Sequence, residues 1–302
     1  MTPRDRGATP EFATFWHGPL DALTYGCMAS FAHFGAGLRV YSYDDRLDAP
    51  RGVELADARR ICPDESLLGR YIVKGRPSIA TFADRFRYEM IRETGCCWVD
   101  SDILCLRKPD FAQEEIVFGR QSEFRGESVI NNAVLKLPPD DPTLNALVAK
   151  AESAVDVDQS WGAIGPFLLT EIATRNGIDR YAREFHHFYP IEPDCFWKPF
   201  LPACRDEVAE AVRGATFLHL WSELIARSGY DRSACPPVGS FLNEVFGRLG
   251  VVDRFARVYE AGELEALMAK WIAAEGESAV SDSSEPVARN DGSLAPPTSG
   301  KT

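Results

Sequence analysis

Hydrophobic positions along this chain follow two patterns that alternate. Short apolar runs predict buried strands, and longer segments with apolar residues three to four positions apart predict amphipathic helices. Because the two kinds of segment alternate, we expect an α/β fold in layers with a largely parallel sheet. The predicted strands are Ala13–Trp16, Leu38–Tyr43, Cys96–Val99, Ile130–Leu137 and Thr216–Trp221, and the predicted helices are Ala22–His33, Ile79–Glu93, Thr143–Ala154, a segment that starts after Gly165-Pro166 and ends at Gly177, Glu207–Val212, Val238–Leu249 and Glu263–Glu275.

The amino-acid composition changes clearly once, near residue 276. Residues 276–302 are rich in Ser, Pro, Gly and Asp and contain no aromatic residue. Such a segment cannot bury enough apolar surface to offset the conformational entropy that it would lose on ordering. We therefore predict one globular domain over residues 1–275, followed by a disordered tail over residues 276–302.

Charge and hydropathy narrow the class of protein. The 302 residues include 45 acidic and 33 basic side chains, and the resulting net charge of −12 argues against a nucleic-acid-binding protein. No apolar run is long enough to span a membrane, and the first residues lack the apolar core of a secretion signal. The eight cysteines contain no Cys-x-x-Cys pair, so we expect reduced packing residues. We expect a cytoplasmic protein without a transmembrane segment, and peripheral contact with the inner face of the membrane stays open.

An acidic pair follows the third predicted strand. Asp100 and Asp102 come directly after the apolar run Cys96–Val99, and side chains two positions apart on a strand point to the same side. Two carboxylates at the carboxyl end of a buried strand suit Mg²⁺ or Mn²⁺, and ligands bind at that edge of open α/β sheets. A second Asp-x-Asp sequence, from Asp156 to Asp158, has no apolar strand before it, so we interpret it as a solvated turn.

The helix before this strand carries a second candidate pair. Asp84 and Arg87 lie one turn apart on one helical face, among Phe82, Phe86 and Tyr88. An exposed ion pair within a helix would contribute only about 0.3–0.5 kcal/mol to stability. At a partly buried position, the carboxylate could instead accept hydrogen bonds from sugar or ribose hydroxyls, and the planar guanidinium could pair with a diphosphate. Both interpretations stay open at this point.

The middle of the chain contains, in order, Asp84, Arg87, Gly95, Trp98 and the triplet Asp100-Ser101-Asp102. This order resembles the sugar-binding region of DXD glycosyltransferases. The similar group includes bacterial capsule and lipooligosaccharide transferases, α-1,4-glycosyltransferases and the large clostridial glucosylating toxins. The resemblance implies the GT-A fold, in which a Rossmann-like mixed sheet is flanked by helices in a single α/β domain. It also implies a UDP-sugar donor and retention of its anomeric configuration.

The resemblance extends over most of the chain and implies roles for individual residues. It implies Asp100, Asp102 and His219 as ligands of Mn²⁺ or Mg²⁺, and Asp100, Asp102 and Arg87 as catalytic groups. Which of His219, Trp221, Ser222 and Glu223 completes the metal and diphosphate site stays open. The residues implied in donor binding are Trp16, which would stack on the uracil ring, and His17, Tyr43, Asp84, Arg87, Trp98, Asp100, Ser101, Asn131, Asn132 and Trp221.

Together these assignments predict a metal-dependent glycosyltransferase of polysaccharide biosynthesis. The leaving diphosphate gains negative charge while the sugar becomes oxocarbenium-like, so a divalent cation and Arg87 would neutralise that charge. The expected partners are a UDP-sugar donor and a glycan, lipid-linked or protein acceptor. The alternatives are a carbohydrate- or nucleotide-sugar-binding protein of the same fold without turnover, a nucleotidyltransferase and, less favoured, a metal-dependent phosphatase with an Asp-x-Asp motif.

Overall fold

The computed structural model describes residues 11–111, 114–121 and 128–282. Short 3₁₀ turns fill much of the segment between the fourth and fifth α-helices. The strands are β1 Phe12–Phe15, β2 Leu38–Ser42, β3 Glu54–Asp57, β4 Ile72–Val73, β5 Arg76–Pro77, β6 Cys97–Val99, β7 Ile103–Cys105, β8 Val117–Arg120, β9 Ile130–Lys136, β10 Asp158–Gln159, β11 Phe217–His219, β12 Ala234–Cys235 and β13 Arg257–Val258. The α-helices are α1 Ala22–His33, α2 Ile79–Thr94, α3 Pro142–Glu152, α4 Pro166–Arg175, α5 Arg205–Ala211, α6 Ser222–Arg227, α7 Phe241–Leu249 and α8 Ala261–Asp282.

Six strands form the central sheet in the order β3-β2-β1-β6-β9-β8. Strands β3, β2, β1 and β6 run parallel to one another, whereas β9 runs antiparallel to both β6 and β8. This mixed sheet, flanked by helices in an α/β arrangement, confirms the predicted fold class. The alternation of elements predicted only the parallel half, because a periodic pattern records burial and carries no information on strand direction.

Helices cover both faces of the central sheet. On one face, α2, α3 and α4 bury Phe86, Leu147 and Leu169. On the other face, α1 buries Met28 and Phe31. A third apolar cluster joins α1 to α5, α6, α7 and α8. Because both faces are covered, a ligand can reach the sheet only at its edges and at the ends of its strands.

Helix α2 begins at Ile79, as predicted, and ends at Thr94, one residue past the predicted Glu93. At its N-terminus the Ser78 side chain accepts a hydrogen bond from the Thr81 N–H at 3.2 Å. At its C-terminus Gly95 has a φ of 67°, a left-handed conformation that glycine adopts without steric strain. The rings of Phe86 on α2 and Trp98 on β6 then pack with centroids 6.4 Å apart. This packing sets the polar residues of α2 beside the end of β6.

Some elements differ from the predicted ones. The predictions missed helix α6 and several short strands, among them β7, β8 and β3, an edge strand of which only Ala56 is buried. Helix α8 continues to Asp282, past the predicted boundary at residue 275. The rest of the predicted tail lies outside the described residues, and the division into domain and tail stays a prediction. All eight cysteines are reduced thiols. None of the described helices combines the length and the apolar character that a membrane span requires.

Candidate metal and donor-binding site

Three parallel strands end at the same edge of the central sheet. Trp16 directly follows β1, Tyr43 follows β2 and Asp100 follows β6. Parallel strands carry their carboxyl ends to one edge, which is the edge where open α/β sheets bind ligands. The acidic motif therefore starts at a ligand-binding edge, as the sequence predicts.

The acidic motif forms a turn beyond the end of β6, so strand alternation is not what brings its carboxylates together. The Ile103 N–H donates to the Asp100 carbonyl at 3.0 Å and closes this turn. Strand β7 then leaves the turn and pairs with β11 in antiparallel register, which sets Ile103 opposite His219. As a result, Asp100, Asp102 and His219 each offer a ligand atom, and these atoms lie within 4.8 Å of one another.

This group of three residues fits a divalent cation. Asp102 and His219 are 7% and 8% exposed, and the imidazole Nε2 lies 3.3 Å from the Asp102 Oδ2. The buried His219 Nδ1 has no hydrogen-bond partner in the described part of the chain. Buried polar atoms are nearly always bonded, so the unpartnered nitrogen of this imidazole, whose Nε2 faces Asp102, leaves His219 with a lone pair or proton that the protein itself does not use. The carboxylates suit Mg²⁺ or Mn²⁺, and the imidazole favours the transition metal.

The electrostatics of the pair keep Asp102 in its metal-binding form. Burial acts to raise the pKa of Asp102, but the His219 imidazole and the Ser222 N–H, 2.8 Å from Oδ2, hold that pKa below its usual range. Burial acts to lower the pKa of His219, but Asp102, followed by Asp100, outweighs it and raises that pKa. Asp102 is therefore ionised at neutral pH, the state in which a carboxylate binds a metal ion.

Arg87 connects the acidic motif to helix α2. Its side chain is buried, and its Nη1 and Nη2 lie 3.0 Å from the Asp100 Oδ1 and the Asp84 Oδ1, respectively. Nη1 also donates to the Asn132 carbonyl at 2.6 Å, and the guanidinium lies 4.9 Å from the centre of the Trp98 ring. The Trp98 Nε1 in turn donates to the Asp100 Oδ1 at 2.6 Å. This buried network excludes the exposed ion pair that the sequence had left open.

Asp84 lies at the other end of this network, under the loop that precedes α4. Burial raises the pKa of its carboxyl to about 6, against the neighbouring guanidinium and the Asn132 amide, which donates to Oδ1 at 2.8 Å. A Cβ at Gly165 would lie 2.8 Å from the Asp84 Oδ2, so only glycine allows this approach. The Tyr88 hydroxyl donates to the Ile164 carbonyl at 2.8 Å. The loop is thus fixed directly against Asp84.

Trp221 and Ser222 contact two of the candidate metal ligands, His219 and Asp102. Trp221 has φ 57° and ψ 55°, a left-handed conformation that costs a tryptophan roughly 1–3 kcal/mol and that the surrounding structure must hold in place. This turn directs the Ser222 N–H to the Asp102 carboxylate, while the Trp221 ring packs on His219 at a tilt of 38°, with centroids 4.1 Å apart. Glu223 lies exposed in the first turn of α6. Of the late residues left open by the sequence, His219 therefore faces the acidic pair directly.

Three predicted donor-binding residues at the ends of β1 and β2 make contacts outside this network. The Trp16 Nε1 donates to the Gly18 carbonyl at 3.0 Å, and His17 is exposed. The buried Tyr43 donates its hydroxyl to the Cys62 carbonyl at 2.8 Å. All three lie at or beside the ligand-binding edge, and their roles in donor binding stay predictions.

The two asparagines of β9 point to opposite sides of the strand, as expected. Asn132 faces Asp84, whereas the Asn131 Nδ2 donates to the Gln121 Oε1 at 2.8 Å. Ser101 lies half-buried in the acidic turn. The structure therefore joins Asn132 to the candidate site, and donor contacts by Asn131 and Ser101 stay predictions.

Some features of the site gave no signal at the sequence level. Ser222 was one of the late residues left open, but no residue pattern reveals that its backbone N–H donates to Asp102. The Gly165-Pro166 pair marked the start of a helix, but its contact with Asp84 depends on tertiary packing. Tyr189 packs 5.8 Å from the His219 ring and accepts a hydrogen bond from the Val134 N–H at 3.1 Å. Tyr189 lies in an irregular segment, so neither helical nor strand periodicity could have indicated it.

The fold and the site together define an α/β protein with a candidate divalent-metal site at the carboxyl edge of its sheet. No family model matches the chain, and no curated protein matches it. Among solved structures, the chain is similar to one described as PaToxG Glycosyltransferase, with 14% sequence identity and a TM-score of 0.38 over 56% of this chain and 70% of that chain. A similarity this low carries no argument about activity, so the functional argument rests on the geometry of the site.

Proposed function

We propose that this protein is a metal-dependent glycosyltransferase that moves a sugar from a nucleotide-sugar donor to an acceptor. The observation that carries the proposal is the convergence of Asp100, Asp102 and His219 beside the buried Arg87. The three ligands fit a divalent cation, and the guanidinium adds a second positive group 3.0 Å from Asp100. A leaving diphosphate needs such groups, because its negative charge grows as the bond between the anomeric carbon and the diphosphate oxygen breaks.

The residues around this centre would keep its charges in fixed positions. Asp100, Asp102 and His219 would hold Mn²⁺ or Mg²⁺, which supplies Lewis-acid neutralisation of the diphosphate when bound. Arg87 is held on three sides by Asp84, Asp100 and the β9 backbone, so it needs no reorganisation during the reaction. The Trp221 ring and the Ser222 N–H restrain the imidazole and the Asp102 carboxylate.

The donor sugar is assigned to the side of the site that Asp84 and Asn132 form. A carboxylate and an amide side by side offer both acceptors and a donor for sugar hydroxyls. Trp16, at the end of β1, is assigned to stacking on the base. The choice of UDP, the retention of configuration, a glycan, lipid-linked or protein acceptor and a place in polysaccharide biosynthesis are supported by the resemblance of the motif order.

A panel of UDP-sugars scored by UDP release tests the proposal. We expect release from at least one donor, its loss in EDTA and its return with Mn²⁺. The variant Asp102→Asn should abolish release while the protein stays folded, as circular dichroism would show. Asp156→Asn is the matched control, because it alters the second Asp-x-Asp sequence at an exposed carboxylate that pairs with Arg70. Release that is independent of metal, or full activity of Asp102→Asn, would contradict the proposal.

Two further outcomes would assign a different function. Metal-dependent binding of UDP in calorimetry, without release from any donor, would identify a nucleotide-sugar-binding protein. Release of inorganic phosphate from p-nitrophenyl phosphate that requires Asp102 would identify a phosphatase. Each result uses the same metal centre, so the Asp156→Asn control applies to both.

A further inference from the structure

Two aromatic side chains lie exposed at the start of α4. Trp161 is 53% exposed, the highest exposed fraction of any aromatic residue in the described ranges, and Phe167 is 37% exposed. The two rings pack edge to face, with centroids 6.3 Å apart and an angle of 82° between their planes. Large apolar groups that stay together in solvent commonly mark a binding surface.

The same loop is in contact with the candidate donor site. Gly165 lies between Trp161 and Phe167 in sequence, and its α-carbon approaches the Asp84 carboxylate so closely that a Cβ would lie 2.8 Å from Oδ2. The Ile164 carbonyl accepts a hydrogen bond from the Tyr88 hydroxyl at 2.8 Å. Arg87 then links Asp84 to Asp100. Its Nη2 lies 3.0 Å from the Asp84 Oδ1, and its Nη1 lies 3.0 Å from the Asp100 Oδ1. The aromatic pair is thus continuous with the site through a short chain of contacts.

We propose that Trp161, supported by Phe167, is the platform on which a saccharide acceptor stacks, an assignment that rests on the proposed glycosyltransferase function. The C–H face of a pyranose ring is apolar and can lie flat on an indole, whose face is electron-rich. A tryptophan exposed by more than half leaves such a face available. Gly165, four residues after Trp161, brings the same loop against Asp84, the residue assigned to the donor sugar.

The surroundings of the pair favour a neutral sugar over an anionic partner. The segment that leads to Trp161 carries two exposed carboxylates, Asp158 and Asp156, of which Asp156 is paired with Arg70. An extended peptide would need an apolar groove or a long open strand edge, whereas β10 beside the platform has only two residues.

A binding experiment tests the platform without any turnover. Saturation-transfer difference NMR with maltose and with lactose should show saturation of sugar C–H protons by the wild-type protein. The loss of one stacking partner, as in Trp161→Ala, should weaken binding about tenfold, and Trp161→Tyr should restore most of it. Tyr181→Ala is the matched control, because Tyr181 is 47% exposed but lies beyond the other end of α4. This control should bind as the wild type does.

Activity then separates the platform from the function on which it rests. With a productive UDP-sugar, the acceptor concentration that gives half-maximal stimulation of UDP release should rise at least about tenfold in Trp161→Ala and stay unchanged in Tyr181→Ala. Equal sugar binding by Trp161→Ala and the wild type, or no binding of either sugar by the wild type, would overturn the platform. Sugar binding that requires Trp161, without UDP release from any donor, would instead overturn the proposed function.

Discussion

The chain contains two Asp-x-Asp sequences, which the structure places in contrasting environments. Asp100-Ser101-Asp102 follows a fully buried strand, and its second carboxylate is 7% exposed and faces His219. In the other sequence, Asp156 and Asp158 are exposed. Asp156 pairs with Arg70, with 3.0 Å between Nε and Oδ1, and Asp158 accepts a hydrogen bond from the Gly75 N–H at 3.0 Å.

The two environments differ in the features that make the first motif a candidate metal site. Spacing alone is the same in both sequences, so it does not distinguish them. What differs is the delivery of the first motif to a sheet edge by β6 and the arrival of His219 on β11. Each motif also has its own arginine, Arg87 in the first and Arg70 in the second, and only Arg87 is buried. This pairing allows matched substitutions in the two regions.

The largest contrast is expected in stability. Arg87→Ala would leave Asp84 and Asp100 without their shared buried counter-charge, which should cost about 3–5 kcal/mol of the free energy of unfolding. Arg70→Ala removes an exposed ion pair and should cost about 1 kcal/mol or less. Guanidinium unfolding of both variants measures the two values. Equal losses of unfolding free energy would contradict the claim that Arg87 serves as a buried counter-charge.

A contrast in activity should be next in size. Asp100→Asn removes a charge from the candidate metal site and should lower kcat for UDP release by about 10²–10³-fold. Asp158→Asn makes the same chemical change in the exposed motif and should leave kcat within about twofold of the wild-type value. Steady-state assays with saturating donor and Mn²⁺ compare them. Similar kcat values for the two variants would remove the functional distinction between the motifs.

The free energy of unfolding should also depend on pH differently in the two regions, because Asp84 is buried and Asp156 is exposed. The folded state raises the pKa of Asp84 to about 6, so it binds a proton between roughly pH 4 and 6 that the unfolded state has released. The stability of the wild type relative to Asp84→Asn should therefore fall by about 2 kcal/mol as the pH rises from 4 to 7. Unfolding in EDTA at several pH values measures this difference.

Asp156→Asn provides the control for the pH experiment. A hydrogen bond from Arg70 lowers the pKa of Asp156 in the folded state, so its stabilising effect is present above pH 4 and is lost only at lower pH. The stability difference between the wild type and Asp156→Asn should thus stay level between pH 4 and 7. A level difference for Asp84→Asn as well would show that burial does not control its carboxyl.

The smallest expected contrast concerns the planar guanidinium groups of Arg87 and Arg70, whose shape a lysine lacks. Arg87→Lys keeps the positive charge but loses the planar fork that Asp84 and Asp100 share, and it should lower kcat/KM for the donor at least about tenfold, or 1.4 kcal/mol. Arg70→Lys should leave kcat/KM unchanged. If the single variants Arg87→Lys and Asp84→Ala both show wild-type kinetics, the site is restricted to the acidic motif and His219.

Much of this arrangement could be predicted from local patterns, because local patterns create it. Ser78 and Gly95 fix α2, and the apolar run that becomes β6 delivers Asp100 to the sheet edge. The antiparallel course of β9 could not be predicted, since hydrophobic periodicity is the same in either strand direction. The left-handed Trp221 could not be predicted either, because its conformation is imposed by the surrounding tertiary structure.

Direct measurement of Mn²⁺ binding tests the central claim, that Asp100, Asp102 and His219 form a metal site. Electron paramagnetic resonance of free Mn²⁺ during titration of the protein reports binding without any donor or acceptor. We predict one Mn²⁺ site per chain, lost in Asp102→Asn and His219→Ala and retained in Asp156→Asn. Mn²⁺ binding that survives both Asp102→Asn and His219→Ala, or that is absent from the wild type, would contradict the claim.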